Sequence, residues 1–308
     1  MSSLEIKFSR AGRVYKAGDT VKGTISLKHS GGAANPLAHQ GIEFEAIGEI
    51  TLRAPSGAAD GSRSLSLFAI RKVLAPPGKC INAVTNWDFE FELEPSTEAK
   101  TRGYNVHDTY HGCQVLVQYA VRVLVQRGMW APSIKETEEF LLDSSSRFDF
   151  DKLQGSQTLS VTPVSFAVPN TALLGDEQGT IDIQGRVDNV NLRVFDRIGG
   201  ELCLKAKHPS VRVRSIATVL QAVETCTFGA ESQPATITSD VQKLQVAAGD
   251  ILVGSSVPIH MVLPRLLCCP SVKTEDFSVG FVLGIVLEYV KGGEVQQLST
   301  QIPLTLVA

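Results

Sequence analysis

The chain has 308 residues, of which 43% are hydrophobic and 20% charged, and this length favours about two domains with buried cores. Its 29 Lys and Arg residues against 32 Asp and Glu residues give a net charge of -3. No global positive field therefore draws the chain to nucleic acid or to anionic lipid. We expect no nucleic-acid partner, and only a peripheral association with membranes.

The amino-terminal residues show no positively charged start followed by an apolar run, so no signal peptide is predicted. The longest apolar stretch, Val279 to Val290, contains glycines and Glu288 and is too short to span a bilayer. These features indicate a cytoplasmic protein. The cysteines have no C-x-x-C spacing and lie far apart except for the adjacent pair Cys268 and Cys269, so most are expected to be buried, reduced thiols.

Alternation of apolar and polar residues predicts strands throughout the first half. Ile6 to Leu27 is typical of two strands joined by a turn at Lys16 to Asp19. In Ile42 to Ile50 and in Trp87 to Glu94, apolar side chains alternate with acidic ones, the pattern of a strand with one solvated face. Gly112 to Gln126 alternates over a greater length and predicts a long half-buried strand.

A polar stretch without any pattern, Asp143 to Gln157, lies near mid-chain. We place the domain boundary there, between residues 1–150 and 151–308. The second half repeats four signatures of the first in the same order, at an offset of roughly 165 to 180 residues. The matched segments are Val14–Leu27 with Val194–Leu204, Gly41–Glu49 with Arg214–Glu224, Phe89–Leu93 with Ile259–Leu263, and Gly112–Val125 with Phe277–Tyr289. Since no amphipathic stretch has helix length, the predicted fold is all-β, two tandem β-sandwich domains.

A loop rich in Gly and Ser, beginning at Gly249, leads into a strand late in the second half. Along this strand Val257, Ile259, Met261 and Leu263 point one way. Pro258 and Pro264 bracket it, and proline, which cannot donate a ladder hydrogen bond, suits the ends of a strand at a sheet edge. An edge beside a loop is expected to form a docking surface.

Two motifs could carry chemistry, and both favour a structural reading. His107 and His111 have the spacing of a helical zinc-protease motif, but the segment leads into a strand, where residues four apart are separated by about 13 Å. Cys268 and Cys269 have no second Cys or His pair to complete a metal shell. No nucleophile elbow, phosphate-binding loop or dinucleotide fingerprint occurs either. We therefore expect no catalytic residues, no metal and no cofactor.

Several short motifs occur in order over nearly the whole chain. They are His39–Ile42, Tyr110–Gly112 with Val117–Tyr119, Val223–Cys226, and Val257–Leu266 with Cys269–Pro270. Together they resemble the arrestin-fold family of vacuolar protein sorting 26 subunits, and its C-type branch most. The block from Val257 to Pro270 is the most specific part of the resemblance.

The resemblance implies two arrestin-like sandwiches in a non-catalytic scaffold, the second of which grips the end of a long α-solenoid subunit in an endosomal recycling coat. For the C-type branch that coat is retriever, whose solenoid is the vacuolar protein sorting 35-like protein and whose third member is the sorting 29 subunit. Sorting nexins and cargo tails are further candidate partners. The chain would then be cytoplasmic and peripheral on endosomes.

In the family, contact with the solenoid centres on the loop before the Val-Pro-Ile strand, which falls here on Val246 to Gly254. Val246, Ile251 and Val253 are the predicted apolar anchors, because desolvated side chains supply most of the binding energy in an interface. The predicted partner-binding residues are Val246, Ala247, Gly249, Asp250, Ile251, Val253, Ser255, Pro258 and Arg265.

Two other non-enzymatic identities stay open, the small subunit of retromer and a free-standing arrestin-like cargo adaptor. The retromer subunit typically has a different run after the Val-Pro-Ile strand and an aromatic and basic tail, whereas this chain has Pro264 to Leu266 and ends with Leu304 to Ala308. Free-standing adaptors often carry Pro-Tyr motifs, and none occurs here. The sequence therefore favours a retriever subunit over both of these, and an enzyme is the third and most distant alternative.

Overall fold

The computed structural model describes residues 2–54, 61–128, 131–144, 161–168, 181–207, 209, 211–228, 233–264 and 267–308. The chain divides into two compact units, one formed by Met1–His111 and Val115–Ser144, the other by Gly112–Gln114 and Ser145–Ala308. The predicted boundary at residues 150 and 151 falls on positions outside the described residues.

The described residues of the first unit lie mostly in strands, with a 3-10 turn at Gly32–Ala34 and a short helix, α1, at Thr97–Thr101. Its strands are β1 (Ser2–Phe8), β2 (Val14–Tyr15), β3 (Thr20–His29), β4 (Leu37–His39), β5 (Gly41–Arg53), β6 (Ser62–Ala75), β7 (Gly78–Cys80), β8 (Val84–Glu92), β9 (Tyr110–His111), β10 (Val115–Gln126) and β11 (Ile134–Leu142). One sheet has the order β1-β3-β8 and the other β2-β11-β10-β5-β6, with β9 also paired to β10 and β4 paired to β7. All these pairs are antiparallel except β2 with β11.

Aromatic side chains from both sheets meet in the core of the first unit. Phe89 of β8 lies 5.2 Å, between ring centroids, from Phe44 of β5. Phe8 of β1 lies 5.7 Å from Phe140 of β11, which in turn lies 5.8 Å from Tyr119 of β10. Aromatic rings bury large apolar areas, and their offset and edge contacts add to the stability of a core. The inward residues of the alternating strands thus join the two sheets into a sandwich.

The second unit has the same plan. Its strands are β12 (Val164–Ala167), β13 (Ile181–Val187), β14 (Asn191–Arg193), β15 (Arg197–Lys207), β16 (Val211–Cys226), β17 (Ala235–Ala248), β18 (Ser256–Val262), β19 (Val272–Lys273), β20 (Phe277–Lys291) and β21 (Glu294–Val307). The sheet orders are β12-β13-β15-β18 and β14-β21-β20-β16-β17, with β19 also paired to β20.

The correspondence between the units extends to details that the sequence repeat does not mark. The parallel pair of β14 with β21 matches that of β2 with β11, and the short β19 on β20 matches β9 on β10. The predicted all-β fold class of two sandwiches is confirmed.

Candidate partner-binding loop

The strand predicted at a sheet edge is β18, and the prediction is confirmed. Within the described residues β18 pairs only with β15, at the end of the four-stranded sheet. Ile259 and Met261 are buried, while Pro258, His260 and Val262 on the opposite face are exposed. Alternation read from the sequence therefore identifies both the core face and the outer face of this strand.

The structure corrects two details of the prediction. Pro258 does not mark an end of the strand but is its third residue, opposite Glu201 of β15. An edge strand tolerates proline inside it, since the missing N–H can be one that would face solvent. The predicted loop from Val246 to Gly254 is also shorter, because Val246 to Ala248 are the last residues of β17. The connection between β17 and β18 is Gly249–Ser255, which we refer to as the docking loop.

The docking loop carries the chain from the edge strand of one sheet to that of the other, and glycines make both of its bends. Gly249 has φ +80° and Gly254 has φ +86°, left-handed values that glycine adopts without steric cost. The N–H of Gly249 donates to the carbonyl of Arg214 at 2.8 Å, and that of Gly254 donates to the carbonyl of Leu204 at 2.8 Å. Backbone bonds thus fix the loop to β16 and to β15.

The side chain of Asp250 also fixes the loop in place. Its carboxylate oxygen Oδ1 accepts a hydrogen bond of 2.5 Å from the Lys207 ammonium and one of 3.3 Å from the N–H of Val213. The hydrogen bond from Lys207 holds the pKa of the Asp250 carboxyl below its usual range. Since Lys207 ends β15 and Val213 belongs to β16, this one side chain contacts a strand of each sheet.

Leu252 and Val253 lie at the tip of this fixed loop, and both are exposed. The N–H of Ser255 donates to the Leu252 carbonyl at 3.1 Å, which closes a tight turn around Val253 and Gly254. Leu252 is 77% exposed and Val253 52%. A loop that is tied down on both sides yet presents adjacent apolar side chains to solvent is suited to insertion into a partner's pocket.

Leu252, the most exposed large apolar side chain among the described residues, was absent from the predicted anchors. An apolar triplet between two turn-forming glycines, outside any strand period, is the signal that could have identified it. The predicted residues are placed as follows: Val246 and Ala247 half-buried in β17, Gly249, Asp250 and Val253 exposed, Ile251 and Ser255 half-buried, Pro258 exposed in β18, and Arg265 outside the described residues.

The two motifs considered for chemistry are both part of the packing. The carbonyl of His107 accepts a hydrogen bond of 2.6 Å from the buried Tyr119 hydroxyl, and the carboxylate of Asp108 accepts one of 2.9 Å from the N–H of Ser144. Cys268 and Cys269 are buried, reduced cysteines. In the described part of the chain, no group of three His, Cys, Asp or Glu residues is arranged to hold a metal ion. No helix there is long and apolar enough to cross a membrane.

Comparison with known proteins agrees with this architecture. The family model described as Vacuolar protein sorting-associated protein 26 matches residues 5–290. A similar protein is Vacuolar protein sorting-associated protein 26C of Dictyostelium discoideum, 25% identical over 302 residues, which covers 92% of this chain and 93% of that protein. The family match spans both sandwiches, and the chain therefore belongs to the Vacuolar protein sorting-associated protein 26 family.

Proposed function

We propose that this protein is a non-catalytic scaffold subunit of an endosomal cargo-recycling complex of the retriever type. In this proposal its second sandwich binds the end of a large α-solenoid subunit, the vacuolar protein sorting 35-like protein, and the sorting 29 subunit completes the complex. The protein acts in the cytoplasm and lies peripherally on endosomes through the complex, where sorting nexins and cargo tails are further partners.

The observation that carries the proposal is the exposure of Leu252 and Val253 on a loop held in place by Asp250, Gly249 and Gly254. A preorganised loop loses little conformational entropy on binding, so more of the energy of burying its apolar side chains appears as affinity. Family membership and the similarity to a 26C protein support the sorting role and the choice of retriever.

The structure makes Leu252 and Val253 better test positions than the half-buried Val246 and Ile251, because a charge at an exposed position leaves the fold intact. We expect Leu252→Asp and Val253→Asp each to weaken binding of the large subunit by about 2 kcal/mol or more, which is roughly a thirtyfold loss of affinity. Co-purification from cells, followed by identification of the bound large subunit, tests for the loss of binding. The melting temperature of each variant shows whether it is still folded.

Val73→Asp is the matched control, since Val73 is 71% exposed but lies on β6 of the first unit, which takes no part in the proposed solenoid contact. It should bind as the unchanged protein does. Retained binding by well-folded Leu252→Asp and Val253→Asp variants would remove the loop from the interface.

The identity of the co-purified solenoid separates the alternatives. The 35-like protein supports retriever, whereas the solenoid of retromer would replace that assignment with the retromer subunit. A protein that binds cargo tails and no solenoid would instead be a free-standing adaptor.

A further inference from the structure

Strand β17 ends the six-stranded sheet of the second unit, and one of its edges is unpaired in the part of the chain that the structure describes. It pairs with β16 along its whole length, and no other strand within the described residues pairs with it. None of its 14 residues is buried. A free strand edge carries backbone donors and acceptors that a second extended chain can satisfy.

Two β-bulges interrupt this strand. Val241 and Val246 have no counterpart in the register with β16 and are extra residues. Each bulge shifts the alternation by one residue, so that exposed side chains stand at Thr238 and Asp240 before the first bulge and at Lys243 and Gln245 after it. Asp240 and Lys243 therefore project to the same side of the sheet although they are three positions apart.

This arrangement makes β17 complementary to itself. When a second copy of β17 pairs antiparallel with the first and both are centred on the first bulge, Asp240 lies opposite Lys243 of the copy and Thr238 lies opposite Gln245 of the copy. By twofold symmetry, Lys243 and Gln245 of the first chain also lie opposite Asp240 and Thr238 of the copy. Residues that face each other in an antiparallel pair lie on the same side of the sheet. The register meets that requirement only because the bulge adds one residue.

The charges at the centre of the strand are available for such pairing. Lys243 is exposed and makes no ion pair with any described residue. The Asp240 carboxylate accepts one hydrogen bond of 2.8 Å, from the Gln221 amide, and a carboxylate has capacity for several. Opposite charges placed across a strand pair stabilise it, whereas like charges oppose it.

We propose that β17 is a homotypic docking edge, at which a second copy of this chain pairs antiparallel with Asp240 and Lys243 forming reciprocal ion pairs. Edge pairing over one strand buries little surface, so the dimer is weak and forms at high local concentration. The proposal does not rest on the solenoid contact. Val246 and Ala247, two of the predicted solenoid-binding residues, lie on β17, however, so a solenoid that also contacted them would compete with a second copy.

Sedimentation velocity of the full chain over a range of concentrations tests the proposal. The unchanged protein should show reversible dimerisation. Asp240→Lys and Lys243→Asp each put like charges opposite one another, and each should weaken dimerisation by at least about tenfold. The double variant restores opposite charges and should dimerise again. A mixture of the two single variants should also form a heterodimer, since all central charges are then complementary.

Lys205→Asp, the same change on an exposed residue of the interior strand β15, is the control and should dimerise as the unchanged protein does. Single variants that associate as strongly as the unchanged protein would overturn the proposal, because some other surface would then form the dimer. An unchanged protein that stays monomeric at every concentration would also overturn it, and would leave the edge to an extended segment of a different protein. Melting temperatures confirm that each variant is folded.

Discussion

The backbone N–H of Gln114 donates a hydrogen bond of 2.7 Å to the carboxylate of Glu224, whose side chain is completely buried. The N–H of Cys113 donates to the other carboxylate oxygen at 2.9 Å. In the orientation that satisfies its neighbours, the Gln114 amide also donates to the carbonyls of Glu224 and Ala235, both at 3.2 Å. A buried carboxylate requires such donors. These hydrogen bonds to Glu224 hold Gly112–Gln114 in the second unit.

Glu224→Gln should lower the free energy of unfolding by about 1–3 kcal/mol. The substitution keeps the side-chain size but turns one acceptor into an NH2 group that faces a backbone N–H. Denaturant unfolding measures the loss. Glu275→Gln, at an exposed position, should change the free energy by no more than about 0.5 kcal/mol. Equal losses in the two variants would show that the buried carboxylate has no special role.

Gly48→Ala should destabilise the first unit by about 1–3 kcal/mol, because the core there has no room for a methyl group. A Cβ at Gly48 would lie 2.6 Å from the Phe68 ring and 2.8 Å from the Tyr119 ring. Gly12→Ala is the matched control, since a Cβ there would meet nothing within 4 Å. Thermal unfolding should separate the two variants, and similar melting temperatures would contradict this account of the core.

Stability should decline as the pH falls from about 7 to about 5.5, because the buried His39 and the half-buried His107 must take up protons on unfolding. Burial lowers the pKa of His39 and of His107 below the usual histidine range. Each ring then contributes stability that is present above the unfolded-state pKa of about 6.5 and lost as the pH falls below it. Burial raises the pKa of Asp108, and this acts in the opposite direction, since the cost of burying the ionised carboxylate is relieved at lower pH.

Denaturant unfolding at a series of pH values checks the sign of each contribution. His39→Gln should flatten the decline, and Asp108→Asn should steepen it. His260→Gln, on the exposed face of β18, controls for the loss of a histidine. A stability profile that rises toward acid in the unchanged protein would refute the assignment to the histidines.

Alkylation of the folded protein near pH 8 should modify Cys113 first, because its side chain is exposed. Burial raises the pKa of the Cys226 thiol to about 11 and that of Cys268 to about 12. Since the thiolate is the reactive form, these two should react only after unfolding. Mass spectrometry of digested samples gives the extent of modification at each site, and early labelling of Cys268 would show that it is not buried.

The strands were predictable wherever one face is buried. Val115 to Val125 alternates in the sequence because every second side chain enters the core, and it forms β10 as expected. Pairing partners were less accessible, since alternation does not say that the two residues of β2 leave β1 and β3 to join β11 in the other sheet. Leu252 was missed for a related reason, because periodicity carries no information in a loop. Its exposure depends on the hydrogen bonds that Gly249 and Gly254 donate to the carbonyls of Arg214 and Leu204, two residues distant in sequence.

The parallel strand pairs give the protein a constraint during its synthesis. Val14 of β2 pairs with Leu141 of β11, and Asn191 of β14 pairs with Thr305 of β21. In each unit, therefore, a strand that is synthesised early cannot pair until the last strand of that unit has been made. Such long-range contacts are slow to form. If the ribosome stalls before Leu141 or before Thr305, the nascent unit lacks the strand that completes its parallel pair and has open strand edges. Such a nascent chain aggregates unless a chaperone shields it.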